Sequence, residues 1–115
     1  MELSKDDVKT ILSHPKKMIR QYALSLVSLR ERERIVIQLR YIDGLTREET
    51  IERIPRLYAE LLGINLEKAI AKYEFSCQAV KKWEADALER CRVAWSENYF
   101  IETVINTSKD CPDNA

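Results

Sequence analysis

Residues 76–82 contain several side chains that are able to contact a nucleic acid. When the apolar residues of this stretch are placed on the inner face of a helix, Cys77, Gln78, Lys81 and Lys82 stay exposed. A glutamine amide and a lysine ammonium group can hydrogen-bond base edges, and lysine also neutralises a phosphate. This pattern indicates DNA binding by the first turns of a helix that begins at Cys77.

Two helices joined by a short break are needed to present this face. Asn65 and Ser76 can each accept hydrogen bonds from the turn that follows, so we expect a short helix after Asn65, a break at residues 74–76 and a longer helix from Cys77. The apolar residues that fall where these helices would touch are Ala69, Tyr73, Phe75, Val80 and Trp83. The pattern predicts a helix-turn-helix, whose second helix is free to enter a major groove. Two neighbouring helices of an ordinary bundle fit the same spacing, and this alternative stays open.

The composition predicts an all-α protein. The chain of 115 residues contains only two glycines and three prolines, and 33% of its residues are charged. Such a chain favours helices with short connections and has about the length of one domain. We expect a helical extension at residues 1–28, the helix-turn-helix domain at residues 29–95, and a helix end with a disordered tail at residues 96–115.

The charge is unevenly distributed, although the net charge is zero. Residues 1–40 contain nine basic and five acidic groups, whereas residues 41–75 and 76–115 each contain five basic and seven acidic groups. Affinity for DNA must therefore come from local clusters of basic groups rather than from a basic coat.

Other kinds of chemistry have little support in the sequence. His14 is the only histidine, and its position before Pro15 predicts a place in a joint between two helices. Cys77, Cys91 and Cys111 are odd in number and show no paired spacing, which indicates neither a disulfide framework nor a zinc site. We predict no enzyme, no cofactor and no metal site. The absence of a signal-peptide pattern and of a long apolar run predicts a cytoplasmic protein without membrane contact.

Local signals define further helix ends. Three capping boxes are recognisable: Ser4 with Asp7, Ser28 with Glu31, and Thr46 with Glu49. Gly44 and Gly63 are suited to end helices in a left-handed conformation. We expect Pro55 to break a helix, and we expect the alternating charges of residues 30–34 to form a solvated helix start with local ion pairs.

The C-terminal region contains large apolar residues that need a partner. These are Ala94, Trp95, Tyr99, Ile101 and Ile105. They either pack on the N-terminal helices or pair with a second copy of the chain, which would make a homodimer. Residues 107–115 are polar, and we expect them to be disordered.

Two blocks of sequence together resemble region four of the sigma factors of bacterial RNA polymerase. The block LRERERIVIQLRYIDGLTREE, residues 29–49, resembles the helix and turn that open that region. The block SCQAVKKWEADALERCR, residues 76–92, is similar to its recognition helix, and LEKAIAKY, residues 66–73, to the supporting helix. The residues of the second block that match the spacing of the family are Val80, Glu84, Ala87, Leu88 and Arg92. The likeness covers somewhat under half of the chain.

The resemblance implies a promoter-reading helix in the major groove and contact with RNA polymerase on the opposite side of the domain. The positions that it assigns to DNA are Ser76, Cys77, Gln78, Lys81 and Lys82. Glu84 takes the place of an acidic residue of the family. The implied protein is a sequence-specific transcription regulator of the small phage or accessory type that binds double-stranded DNA.

Three departures separate the chain from that family. Cys77 stands where arginine is frequent, Glu74 stands where glycine is usual, and residues 45–64 are an insertion that adds one or two helices. No stretch resembles the sigma region that melts promoters, so the likeness does not imply a complete initiation factor. Two other functions remain open: DNA recognition by a small terminase-like packaging subunit, and a helical protein-interaction module that does not bind DNA.

Overall fold

Helices account for most of the chain in the computed structural model, which describes residues 2–98 together with Ile101, Thr103, Val104 and Asn106. The α-helices with defined limits are α1 (Lys5–Leu12), α2 (Lys17–Ser25), α3 (Glu31–Ile37), α4 (Arg47–Leu62), α5 (Leu66–Tyr73) and α6 (Cys77–Ser96). A π-helical turn, Gln38–Ile42, follows α3. The described part of the chain contains no strand, so the predicted all-α class is confirmed.

Side-chain caps start several helices where the sequence predicts them. Ser4 and Thr46 form complete capping boxes at α1 and α4, and the Asn65 side chain accepts a hydrogen bond from the N–H of Lys68 at α5. Gly63 ends α4 with a left-handed φ of 65°. Because these signals act within three or four residues, they specify helix ends locally.

The helix start after Ser28 differs from the prediction. Helix α3 begins at Glu31, two residues later than a Ser28 cap requires, and it changes to π geometry at Gln38. The N–H of Asp43 bonds to the carbonyl of Gln38 at 2.9 Å, which closes the π-helical turn. Gly44 follows with a φ of 75°, as expected for a glycine that stops a helix.

The prediction of a helix break at Pro55 is wrong, because α4 continues through it as one helix of 16 residues. A proline inside a helix removes one backbone hydrogen bond and costs about 3 kcal/mol. Pro55 is buried, and its neighbours Ile54 and Tyr58 belong to the hydrophobic core. Burial of each such apolar side chain contributes about 1.5 to 3 kcal/mol, so packing offsets the lost bond. Residues 45–64, for which the sequence predicts one or two helices, therefore contain one helix.

The chain divides into two compact units. Unit 2, Glu31–Glu84, contains α3, the π-helical turn, α4, α5 and the first turns of α6. Its hydrophobic core consists of Val36, Leu39, Ile54, Tyr58 and Val80. These residues come from α3, the π-helical turn, α4 and α6, so the core ties the start of α6 to the preceding helices.

Unit 1, Met1–Arg30 with Ala85–Ala115, contains α1, α2 and the rest of α6. Trp95 is fully buried, and its indole N–H donates to the carbonyl of Ala23 on α2 at 2.8 Å. The end of α6 therefore packs on an N-terminal helix, the first of the two predicted alternatives for this region. The predictions for Tyr99, for Ile105 and for a disordered tail at residues 107–115 lie outside the described residues.

His14 lies in the joint between α1 and α2, as predicted, and it is fully buried. Its Nδ1 accepts a hydrogen bond from the backbone N–H of Lys16 at 3.0 Å. Its Nε2 has no hydrogen-bond partner among the described residues. The imidazole thus acts as part of the connection between two helices.

Candidate nucleic-acid interface

The connection between α5 and α6 consists of three residues, Glu74, Phe75 and Ser76. The Ser76 hydroxyl accepts a hydrogen bond from the N–H of Ala79 at 3.1 Å and caps α6. Glu74 is extended, with φ −81° and ψ 112°. Any amino acid adopts this backbone conformation, so the connection does not require the glycine that is usual in the sigma family.

Aromatic rings fill the inside of this connection. Tyr73 stacks on Tyr58 of α4 with ring centroids 3.9 Å apart, and Phe75 meets Trp83 of α6 edge to face at 4.7 Å. A third contact, edge to face between Tyr73 and Phe75, links these two pairs. Aromatic pairs of this geometry add about 0.5 to 1.5 kcal/mol each beyond their burial. Through Tyr73 and Phe75 they link the start of α6 to α4. The contact of Phe75 with Trp83 is one that the apolar spacing predicts, whereas the stack on Tyr58 of α4 is not.

The first turns of α6 have one buried side and one exposed side. Val80 is fully buried, whereas Ser76, Cys77, Gln78, Lys81 and Lys82 are all exposed. At about 100° per residue, Gln78 and Lys82 lie about 40° apart and straddle the point opposite Val80. Lys81 and Cys77 lie together on one flank of the helix. Cys77, Gln78, Lys81 and Lys82 therefore form one continuous exposed surface, whereas Ser76 lies outside it, about 40° from Val80 on the side of Trp83.

Two arginines bind the carboxylate of Glu84 on the inner side of α6. Glu84 is only 5% exposed. Its Oε1 lies 3.2 Å from Nε of Arg40 in the π-helical turn, and its Oε2 lies 3.3 Å from a terminal nitrogen of Arg47 in α4. Arg40 also donates to the carbonyl of Leu45 at 3.0 Å. One carboxylate therefore joins three segments of unit 2 and fixes the rotation of α6 about its axis.

Tyr41 adds a further contact to this carboxylate. Burial, reinforced by the charge of Glu84 and by a hydrogen bond to it, raises the pKa of Tyr41 to about 12. A phenol is already protonated at neutral pH, and the raised pKa keeps Tyr41 able to donate to the Glu84 carboxylate under alkaline conditions as well. Glu84 thus has a partner for its charge and for its hydrogen-bonding capacity, as a buried carboxylate requires.

The residues that orient α6 are harder to predict from the sequence than the exposed residues of α6. Arg40 and Arg47 lie 44 and 37 residues from Glu84, and no local spacing links them. Arg32, expected in a solvated helix start, lies over the rings of Phe75 and Trp83. Neighbouring Glu33 is 2% exposed, so the expectation of a fully solvated start is wrong for that residue.

The described residues also bear on metal binding and on membrane insertion. Within residues 2–98 and the four described positions beyond them, no group of three or more His, Cys, Asp or Glu side chains is arranged to hold a metal ion. In the same part of the chain, no helix has both the length and the apolar character needed to span a membrane.

Comparison of the chain with protein-family models, with curated proteins and with solved structures gives no significant match.

Proposed function

We propose that this protein is a sequence-specific DNA-binding transcription regulator that resembles sigma region four, with the first turns of α6 inserted in the major groove. The observation that carries the proposal is the joint exposure of Gln78, Lys81 and Lys82 on a helix whose opposite side is anchored by Val80 and Glu84. An α-helix fits the major groove, where base pairs present distinct patterns of donors and acceptors.

The roles of the individual residues follow from their positions around the helix. Gln78 and Lys82, opposite the buried side, contact base edges, and a glutamine amide pairs best with adenine N6 and N7. Lys81, on one flank, neutralises a phosphate. The hydroxyl of Ser76, at the start of the helix, can donate to a phosphate while its oxygen caps the helix. Cys77 lies on the same flank and is exposed. RNA polymerase is the protein partner that the family resemblance implies.

The charge balance of unit 2 sharpens this proposal. Residues 31–84 contain ten basic and ten acidic groups, so the unit has no net charge. Non-specific binding rests on phosphate neutralisation and is weak for such a surface. Useful affinity must come from base contacts in addition to a few phosphate contacts, which favours a sequence-specific protein over a general DNA coat.

The test is selection of fragments of the source genome by the purified full chain, followed by fluorescence anisotropy on an enriched fragment and on a shuffled control. The proposal expects an enriched sequence that binds more tightly than the control. It also expects log affinity to fall against log salt with a slope of about −0.9 per neutralised phosphate. No enrichment, together with no binding at low salt, would contradict it.

A second candidate, a helical protein-interaction module, is favoured by exposed apolar side chains on α4 and α5. Leu61 and Leu62 at the end of α4 and Leu66 and Ile70 on α5 are 42% to 65% exposed. Large apolar side chains left exposed in this number are available for contact with another protein. Capture of RNA polymerase by a chain that fails to shift any genomic fragment would select this function. A large closed ring in light scattering would instead favour the packaging subunit.

A further inference from the structure

Arg32 lies in the first turn of α3 and is held over two aromatic rings of the α5–α6 connection and α6. The central carbon of its guanidinium is 4.9 Å from the ring centre of Phe75 and 5.2 Å from that of Trp83. Arg32 is nevertheless exposed. Its charge is therefore fixed in position at the surface of unit 2.

The position of Trp83 on α6 determines which side of the proposed DNA-binding surface Arg32 flanks. From the buried Val80, Lys81 lies about 100° around the helix in one direction, and Trp83 lies about 60° in the other. Gln78 and Lys82 lie between these flanks on the exposed side. Arg32, next to Trp83, and Lys81 therefore lie on opposite flanks of the residues proposed to read bases.

We propose that Arg32 binds a backbone phosphate of the DNA strand that lies across the major groove from the strand contacted by Lys81. This inference rests on the proposed function. A helix in the major groove runs between the two phosphate backbones, so a cation on each flank meets a different strand. The pair would fix the depth and rotation of α6 in the groove.

The chemistry of an arginine held by aromatic rings suits this role. Attraction to the ring faces uses the positive charge of the guanidinium and consumes none of its N–H donors. Arginine donors match phosphate oxygens in a two-pronged geometry. The rings also reduce the side-chain freedom that Arg32 would lose on binding, which lowers the entropic cost of the contact.

Arg34 provides a matched control on the same helix. It is exposed, and it lies two residues on, about 200° further around α3, so it points away from the aromatic pair. Arg32→Ala and Arg34→Ala remove the same charge. Urea unfolding of both variants establishes that each is folded before DNA binding is compared.

The first measurement is the salt dependence of binding to the selected fragment. We expect Arg32→Ala to reduce the magnitude of the slope of log affinity against log salt by about 0.9, the loss of one phosphate contact. Arg34→Ala should leave the slope unchanged. If Arg32→Ala keeps the wild-type slope while Lys81→Ala reduces it, the inference is overturned and the proposed function stands.

The second measurement identifies the strand. Single methylphosphonate groups, which remove one phosphate charge, are placed along each strand of the fragment, and the affinity of each variant is measured. For each variant, one methylphosphonate that weakens binding of the wild type should leave the affinity of the variant unchanged, and this marks the phosphate that the lost side chain contacts. The phosphate identified with Arg32→Ala should lie on the strand opposite to the phosphate identified with Lys81→Ala. Two such phosphates on one strand would overturn the inference. Failure of the wild-type chain to bind any DNA would remove both the inference and the proposed function.

Discussion

The carboxylate of Glu84 and the guanidinium of Arg40 form an ion pair of 3.2 Å that links α6 to the π-helical turn, two segments distant in sequence. The side chain of Glu84 is 6% exposed and that of Arg40 is 25% exposed. The pair is therefore shielded from water on the side of the carboxylate. Glu84 lies one helical turn after Val80, on the same buried side of α6. The ion pair therefore stabilises the part of α6 on which DNA binding is proposed.

Glu84→Gln should destabilise the chain strongly. The variant keeps the shape of the side chain but leaves the charges of Arg40 and Arg47 without their carboxylate. Removal of one partner from a buried pair costs about 3 to 5 kcal/mol, and the partial exposure of the arginines reduces the expected loss to about 2 to 3 kcal/mol. Urea unfolding at pH 7 measures it.

Glu60→Gln is the matched control for that change. Glu60 lies 3.7 Å from Arg53, but its side chain is 63% exposed, so the same substitution should cost no more than about 0.5 kcal/mol. Equal unfolding midpoints for Glu84→Gln and the wild type would show that the buried pair does not hold α6.

Much of the local structure was predictable because its causes are local. Asn65 and Ser76 accept hydrogen bonds from backbone groups three residues on, and Gly63 adopts a left-handed conformation that other residues avoid. The burial of Ala69 and Val80 follows from helical periodicity. The exposed residues of α6 were predictable for the same reason, because periodicity assigns the buried positions and leaves the other positions exposed.

The contacts that fix this surface in place were not predictable in the same way. Nothing near Glu84 in the chain indicates that Arg40 and Arg47 will reach it, because tertiary packing alone brings them together. Pro55 is a second case in which tertiary packing decides the outcome. A proline locally favours a helix break, but burial in the core of unit 2 keeps α4 continuous. The exposed residues of α6 and its apolar contacts Phe75, Val80 and Trp83 were therefore predictable, whereas the arginine partners of Glu84 were not.

Gln78→Ala and Lys81→Ala should weaken DNA binding in different ways. Loss of the amide should cost about 1 to 3 kcal/mol on the selected fragment and little on shuffled DNA, because the amide reads a base. Loss of the Lys81 charge should weaken both duplexes and reduce the salt slope by about 0.9. Lys68→Ala, an exposed lysine on α5, controls for charge. Unchanged sequence preference in Gln78→Ala would refute the base-reading role.

Glu74→Gly, which introduces the residue usual in the sigma family, should lower stability relative to Glu74→Ala. Glu74 has an extended backbone, so a glycine gains no conformational relief there. It adds freedom to the unfolded chain instead, and the expected loss is about 0.4 to 1 kcal/mol in urea unfolding. A glycine variant that equals or exceeds the alanine variant in stability would contradict an extended backbone at this position.

His14→Asn should change how stability depends on pH. Burial, followed by the charges of Lys16 and Arg20, lowers the pKa of His14. The unfolded chain therefore binds a proton more readily than the folded chain, and this contribution to stability is complete above about pH 6.5 and declines as the pH falls from there towards the lower folded pKa. Protonation would also place a donor on Nδ1, which now accepts from the N–H of Lys16.

Asparagine can present an oxygen where Nδ1 lies, so it keeps the hydrogen bond and does not titrate. The smaller side chain leaves space in a fully buried site and should cost about 1 to 3 kcal/mol at pH 7.5. Because only the wild type loses stability by protonation of His14, the gap between the two proteins should narrow between pH 7 and pH 5. Urea unfolding at four pH values measures the gap. A gap that stays constant or widens towards acid pH would show that His14 titrates alike in the folded and unfolded chains, or more readily in the folded one.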